Sequence, residues 1–142
     1  LTGWDEMQEG WNNDDYLILF TQEESASAMA AYAIDRYLPG HILIGLRSWD
    51  DFIVIDASGT VLAVPTVPLD LRYGAAFALP EQIALEADGQ FDGRIKWYVK
   101  SLAFGGDATD EANLVWIAHA RHAELVRWWN EQYRAHQASL QE

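Results

Sequence analysis

Four groupings of side chains in this 142-residue chain have the types and spacing that chemistry needs. His119-Ala-Arg-His122 sets two imidazoles three residues apart, which a helix brings to one face within reach of one ion. Asp88-Gly-Gln-Phe-Asp92-Gly93 begins like a calcium loop. Adjacent carboxylates stand at Asp14-Asp15, Glu23-Glu24 and Asp50-Asp51, and carboxylate pairs are what glycoside hydrolysis uses. The fourth, Arg47-Ser48-Trp49-Asp50-Asp51, separates the apolar runs His41–Leu46 and Phe52–Ile55. It puts a Trp where tight turns favour Gly, Asn, Asp or Pro.

The first three lose their force when the remaining requirements are applied. A zinc site needs a third and fourth ligand with support behind them. No H-E-x-x-H occurs, and His122 falls on an apolar face beside Trp129, so a structural histidine is expected. The calcium pattern needs a bidentate Glu at its twelfth position, where this chain has Val99, and Lys96 stands at the ninth. A solvated turn is expected there. Neighbours on a strand point to opposite faces, so adjacent carboxylates do not meet at one bond. No G-x-S-x-G surrounds a Ser, and Gly105-Gly106 belongs to no phosphate-cradling motif. The expectation is therefore a non-enzymatic protein with no catalytic residue, no cofactor and no metal.

The fourth grouping points to a surface. Trp and Arg are the side chains that anchor protein interfaces. The expected partner-binding loop is Arg47, Trp49, Asp50 and Asp51, with Asp14, Asp15, Glu23 and Glu24 as steering charges. The alternative, in which Trp49 folds back over the sheet, stays open. Of seven Trp, five (Trp4, Trp11, Trp49, Trp97 and Trp128) have no obvious core face. A homodimer through the flank of Trp128 stays open as well.

The elements that must position these groups are read from pattern. Residues 1–15 read as an irregular lead-in. Tyr16–Phe20 is a short apolar strand, and Thr21-Gln-Glu-Glu24 matches a capping box that opens an Ala-rich helix over Gln22–Asp35. Pro39-Gly40 stops it. Ile42–Leu46, Phe52–Asp56 and Thr60–Val64 are strands separated by short turns, which argues for an antiparallel meander. Pro65 and Pro68 confine the next segment to an edge strand or extended chain, and an edge there is a place where a partner peptide adds. Pro80-Glu81-Gln82 opens a short helix or turn near Ile83–Ala87, and Ile95–Val99 reads as another strand. In the last segment Ala118, His122, Leu125, Val126, Trp129 and Tyr133 share one helical face, with Arg121 and Trp128 at its flank. The fold class is α+β, a mostly antiparallel meander sheet packed by a helix from the N-terminal half and a C-terminal amphipathic helix.

Half the residues are apolar, enough for one core in one domain. No apolar run approaches membrane-spanning length, and no basic-then-apolar leader is read at the start. Cysteine is absent, which removes disulfides and thiolate sites and fits the cytoplasm, the expected compartment. The formal charge is −13: residues 1–93 carry sixteen acidic groups against three basic, and residues 94–142 carry six of each. Such a field repels nucleic acid and attracts a basic protein.

The stretch from Tyr32 through Tyr37-Leu38-Pro39-Gly40-His41-Ile42-Leu43-Ile44-Gly45, followed by Phe52-Ile53-Val54-Ile55-Asp56-Ala57-Ser58-Gly59-Thr60-Val61, resembles the SUKH superfamily, as does the strand running into Val64-Pro65. That superfamily joins bacterial toxin-immunity proteins to fungal cell-wall-synthesis regulators. The resemblance covers residues 16–70. The chain departs from it in a 46–51 loop without the usual glycines and in the lack of a helix before the first strand. The resemblance implies one SUKH-like domain over residues 1–142, with 94–142 as its C-terminal extension. It also implies a role in binding and neutralising a toxin, such as a nuclease, or in regulation or scaffolding of an endogenous protein.

Overall fold

Sheet pairing in this protein follows chain order. In the computed structural model, which describes residues 8–79, 85–91 and 94–140, β1 (Gln8–Asn12) and β2 (Asp15–Leu19) form a hairpin. The chain then passes through α1 (Gln22–Ala31) and α2 (Ile34–Tyr37) into β3 (Ile42–Arg47). β4 (Asp51–Ile55), β5 (Val61–Pro65) and the two-residue β6 (Ala75–Ala76) complete six strands in the order β1-β2-β3-β4-β5-β6, antiparallel throughout. β7 (Ile95–Tyr98) and β8 (Leu114–Ile117) form a second, two-stranded sheet, and α3 (His119–Leu140) comes last. The architecture is the α+β meander that the spacing of turns predicts.

Local chemistry explains these boundaries. Thr21 Oγ1 accepts from Glu24 N–H at 3.2 Å, and Glu24 Oε1 accepts from Thr21 N–H at 2.6 Å, so the capping box closes both ways. The Ala-rich helix ends earlier than the composition predicts. Ala33 adopts a left-handed conformation (φ 54°) and divides it into α1 and α2. The lead-in reading of residues 1–15 is corrected for residues 8–15, which are strand and turn. Gly10 and the Asn12-Asn13 pair hide that strand in the sequence, because these residues are poor strand formers. In the structure they have reasons. Asn13 (φ 58°) makes the turn, and a Cβ on Gly10 would lie 2.7 Å from Glu86 O. Trp11 and Glu86 exchange backbone hydrogen bonds of 2.8 and 2.9 Å there, which covers the β1 edge. The start of the helix or turn predicted near Ile83–Ala87 lies outside the described residues, as do Trp4 and the Asp92-Gly93 end of the calcium-like motif.

The core lies on the helix side of the larger sheet. Ile18, Leu46, Phe52 and Val64 are cross-strand neighbours in one row, all fully buried. Ile34 from α2, Tyr32 and Leu38 from the residues that end α1 and α2, Ile95 and Trp97 from β7, and Ala123 and Val126 from α3 pack in the same cluster.

α3 is turned relative to the face that hydrophobicity alone selects. Its buried residues are His119, His122, Ala123, Val126 and Asn130, while Leu125, Trp129 and Tyr133 are half-buried at the side. Asn130 accounts for the difference. Its Oδ1 accepts from Leu69 N–H at 2.7 Å, and its Nδ2 donates to Thr66 O at 2.8 Å and Val126 O at 2.9 Å. A polar residue that satisfies buried backbone belongs inside. Arg134 adds a bond to Leu69 O at 3.1 Å. The segment after β5 is therefore fastened to α3. Its backbone does not offer the free edge that the two prolines suggest. Asn130→Ala leaves the Leu69 N–H and Thr66 carbonyl without their partner and costs about 2–4 kcal/mol. Urea unfolding should show a lower midpoint with an unchanged m-value.

Candidate functional site

The polar side chains gather at one end of the larger sheet, where the β1–β2 and β3–β4 turns lie side by side. β2 pairs with β3 so that Leu17 faces Arg47, and Ser48 N–H donates to Tyr16 O at 2.6 Å. Ser48 (φ 47°) and Trp49 (φ 64°) are both left-handed, an unfavourable state for residues with a Cβ and for a bulky one above all. Burial of a large aromatic side chain offsets it. The Trp49 ring stacks on Tyr16 at 4.7 Å and 17°, with Trp116 at 5.1 Å, Phe91 at 5.2 Å and Trp11 at 6.1 Å around it. Trp49 is 7% exposed.

The expectation that Trp49 is a surface anchor is thus corrected. It is a core residue whose inward turn sends its neighbours outward. Trp97 is likewise buried, Trp11 is half-buried, and Trp128 is 52% exposed.

Around this turn three carboxylates interleave with two cations. Arg47 Nε lies 3.2 Å from Asp15 Oδ1, and its Nη1 lies 3.9 Å from Asp51 Oδ2. Lys96 Nζ lies 3.1 Å from Asp50 Oδ2, and Tyr98 O–H donates to Asp50 Oδ1 at 2.9 Å. Burial pushes the Asp51 carboxyl above its usual range; Arg47 pulls it down, and Asp50 and Asp15 push it further up. Burial also draws Lys96 down, but the Asp50 charge and the hydrogen bonds to Tyr98 and Asp50 outweigh it, so the ammonium is held more firmly. Burial and Asp50 raise the Tyr98 phenol. Beside the cluster lies a cleft of about 190 Å³ whose walls include Asp50, Asp51, Thr66, Val67, Tyr98 and Leu102.

Of the residues expected to bind a partner, the structure brings together Asp14, Asp15, Arg47, Asp50 and Asp51. Asp14 is exposed in the β1–β2 turn. Glu23 and Glu24 lie beyond the other end of β2, so they belong to a different part of the surface. Glu24 is 1% exposed and engaged in the capping box, which corrects its assignment as a steering charge. Lys96 and Tyr98 are the members that sequence reading missed. Their alternation about Trp97 places both on one face of β7, a signal available in principle. Nothing in the sequence aims that face at Asp50, 46 residues away.

His119 and His122 are buried. His122 Nδ1 hydrogen-bonds the Tyr32 hydroxyl at 2.6 Å, and Trp97 packs edge-on at 4.8 Å. Among the described residues no group of three or more His, Asp or Glu side chains is placed to hold a metal ion. In the calcium-like segment, Asp88 accepts instead from Trp11 Nε1 at 3.2 Å. Among the described residues no helix is long and apolar enough to cross a membrane. Compared with protein families, with characterised proteins and with solved structures, the chain finds no match.

Burial holds His119 down at about 4; burial, together with the His119 charge, holds His122 down at about 3. Unfolded imidazoles take up protons near pH 6.5, so between the two values the unfolded state binds more protons. The stability contributed is complete above about pH 6.5 and is lost as the pH falls, by about 1.4 kcal/mol per unit for each ring. His122→Gln, which stays neutral, should unfold in urea with a pH dependence shallower by about that amount between about pH 6 and pH 4.5. Equal slopes would count against the buried-histidine account.

Proposed function

We propose that this chain is an immunity-type protein of the SUKH kind, one that binds and neutralises a basic toxin domain, such as a nuclease, in the bacterial cytoplasm. The observation that carries the reading is the carboxylate-rich end of the sheet on a chain of net charge −13. A protein that handles phosphate presents clustered Lys and Arg. A surface of carboxylates covers such a groove and speeds the encounter through its long-range field. Among the described residues Asp15, Asp50 and Asp51 share two cations, Arg47 and Lys96, so the cluster keeps a negative excess. Exposed Asp14 adds to it. The succession of β2, the helical segment, β3, β4 with its Asp56 turn, and β5 supports the resemblance, since those elements carry it.

Pull-down from the native lysate, with mass spectrometry of what co-purifies, tests the reading. The expected partner is basic and is released by salt. The triple variant Asp14→Asn, Asp50→Asn, Asp51→Asn should slow its association about tenfold or more at low salt, with a smaller change in dissociation. Unchanged binding of a basic partner by the triple variant would displace the site to another surface. An acidic partner held regardless of salt would end the immunity reading.

A further inference from the structure

The outer face of α3 departs from what an exposed helix face should be. With the inner face centred on His119, Val126 and Asn130, helical geometry places Trp128 diametrically opposite, at the outer apex. Lys, Glu or Gln would be ordinary there; this chain has a Trp that is 52% exposed. Its ring meets Trp129 edge-on at 4.8 Å. An open groove of about 520 Å³ runs beside it, lined by Val99, Arg121, Glu124, Leu125, Trp128 and Trp129. Val99, at 63% exposure, extends the apolar surface onto the residue after β7.

We propose that this groove is a self-association surface, in which α3 of a second copy of this chain packs antiparallel across Trp128. Charge selects that occupant. The whole excess of −13 resides in residues 1–93, so two copies repel each other over that part of the surface. Residues 94–142, which build the groove, are charge-balanced. Arg121 and Glu124 at its rim neutralise each other at 2.9 Å. Two copies therefore meet the least repulsion when they approach through α3, whereas a strongly basic partner gains most at the carboxylate end of the sheet. The stripe is also self-complementary. Arg121, Leu125, Trp128 and Gln132 lie along one face. An antiparallel two-fold sets Leu125 of one protomer against Trp128 of its partner, and Arg121 against Gln132 of its partner. Such an isologous contact closes on itself and forms a dimer rather than a fibre.

Sedimentation velocity over a concentration series tests this directly. The expected result is a monomer–dimer equilibrium with a dissociation constant on the order of 10 µM, the weak end for a small interface. Added salt should tighten it, because salt screens the repulsion between two acidic bodies. Trp128→Glu, at an exposed position, should keep its far-UV circular dichroism and weaken the dimer by about 30-fold or more. Ile42→Glu, at an exposed apolar position on β3, should leave the dimer unchanged. A chain that stays monomeric to the highest concentration, a dimer indifferent to Trp128→Glu, or one that Ile42→Glu dissolves equally would each overturn the proposal.

Discussion

The stack of Trp49 on Tyr16 is the contact on which the candidate site depends. A turn with two successive left-handed residues is easily made by Asn-Gly and poorly made by Ser-Trp. It persists here because the indole ring enters an aromatic cluster and because Ser48 N–H is bonded to β2. That inward rotation fixes the orientation of the next two residues. With Trp49 pointing to the core, Asp50 comes against Lys96 and Tyr98 on the second sheet, and Asp51 comes beside Arg47. The strained turn thus joins the two sheets through a polar contact. One aromatic residue orients the carboxylates.

This dependence on distant contacts explains which parts of the protein are legible in its sequence. Strands β3, β4 and β5 have short turns and dense β-branched residues, and local pattern suffices for them. Thr21-Gln-Glu-Glu24 announces a helix start because the capping box is a contact between residues three apart. The illegible parts rest on contacts between distant segments. Trp49 looks like a surface anchor because its flanking Arg and Asp residues are polar; its burial is made favourable by rings brought from distant segments, Tyr16, Phe91, Trp116 and Trp11. Asn130 looks like an outward residue because a hydrophobic count takes no account of the Thr66 and Leu69 backbone it satisfies. β8 is hidden because four residues give too short a pattern, and its partner β7 lies on the far side of a long loop. Asn113 organises that loop through Lys100 and Asp107.

Charge and burial divide the molecule. The acidic excess sits on the N-terminal two thirds, where the larger sheet presents its turns. Buried Tyr32 and His122 meet between the end of α1 and α3, where Trp97 of the second sheet packs against the imidazole. Desolvation raises the Tyr32 phenol far above its ordinary range and lowers the imidazoles of His119 and His122, so each is neutral near pH 7. Neutrality suits them to a core, because an unpaired charge buried there would cost far more than a hydrogen bond returns. The bond from Tyr32 to His122 also ties the end of α1 to α3 at a point where solvent does not compete for it.

The two surfaces of interest adjoin through successive residues of one strand end. Tyr98 is bonded to Asp50 at the carboxylate cluster, and Val99 lines the groove beside Trp128. Val99 N–H is held by Asn113 O at 2.9 Å, so this junction is part of a braced loop. On the two proposals the surfaces would respond to salt in opposite senses, because one carries an excess of charge and the other is a neutral apolar face within a charged body. Ionic strength is therefore the variable that separates what the carboxylate end does from what α3 does.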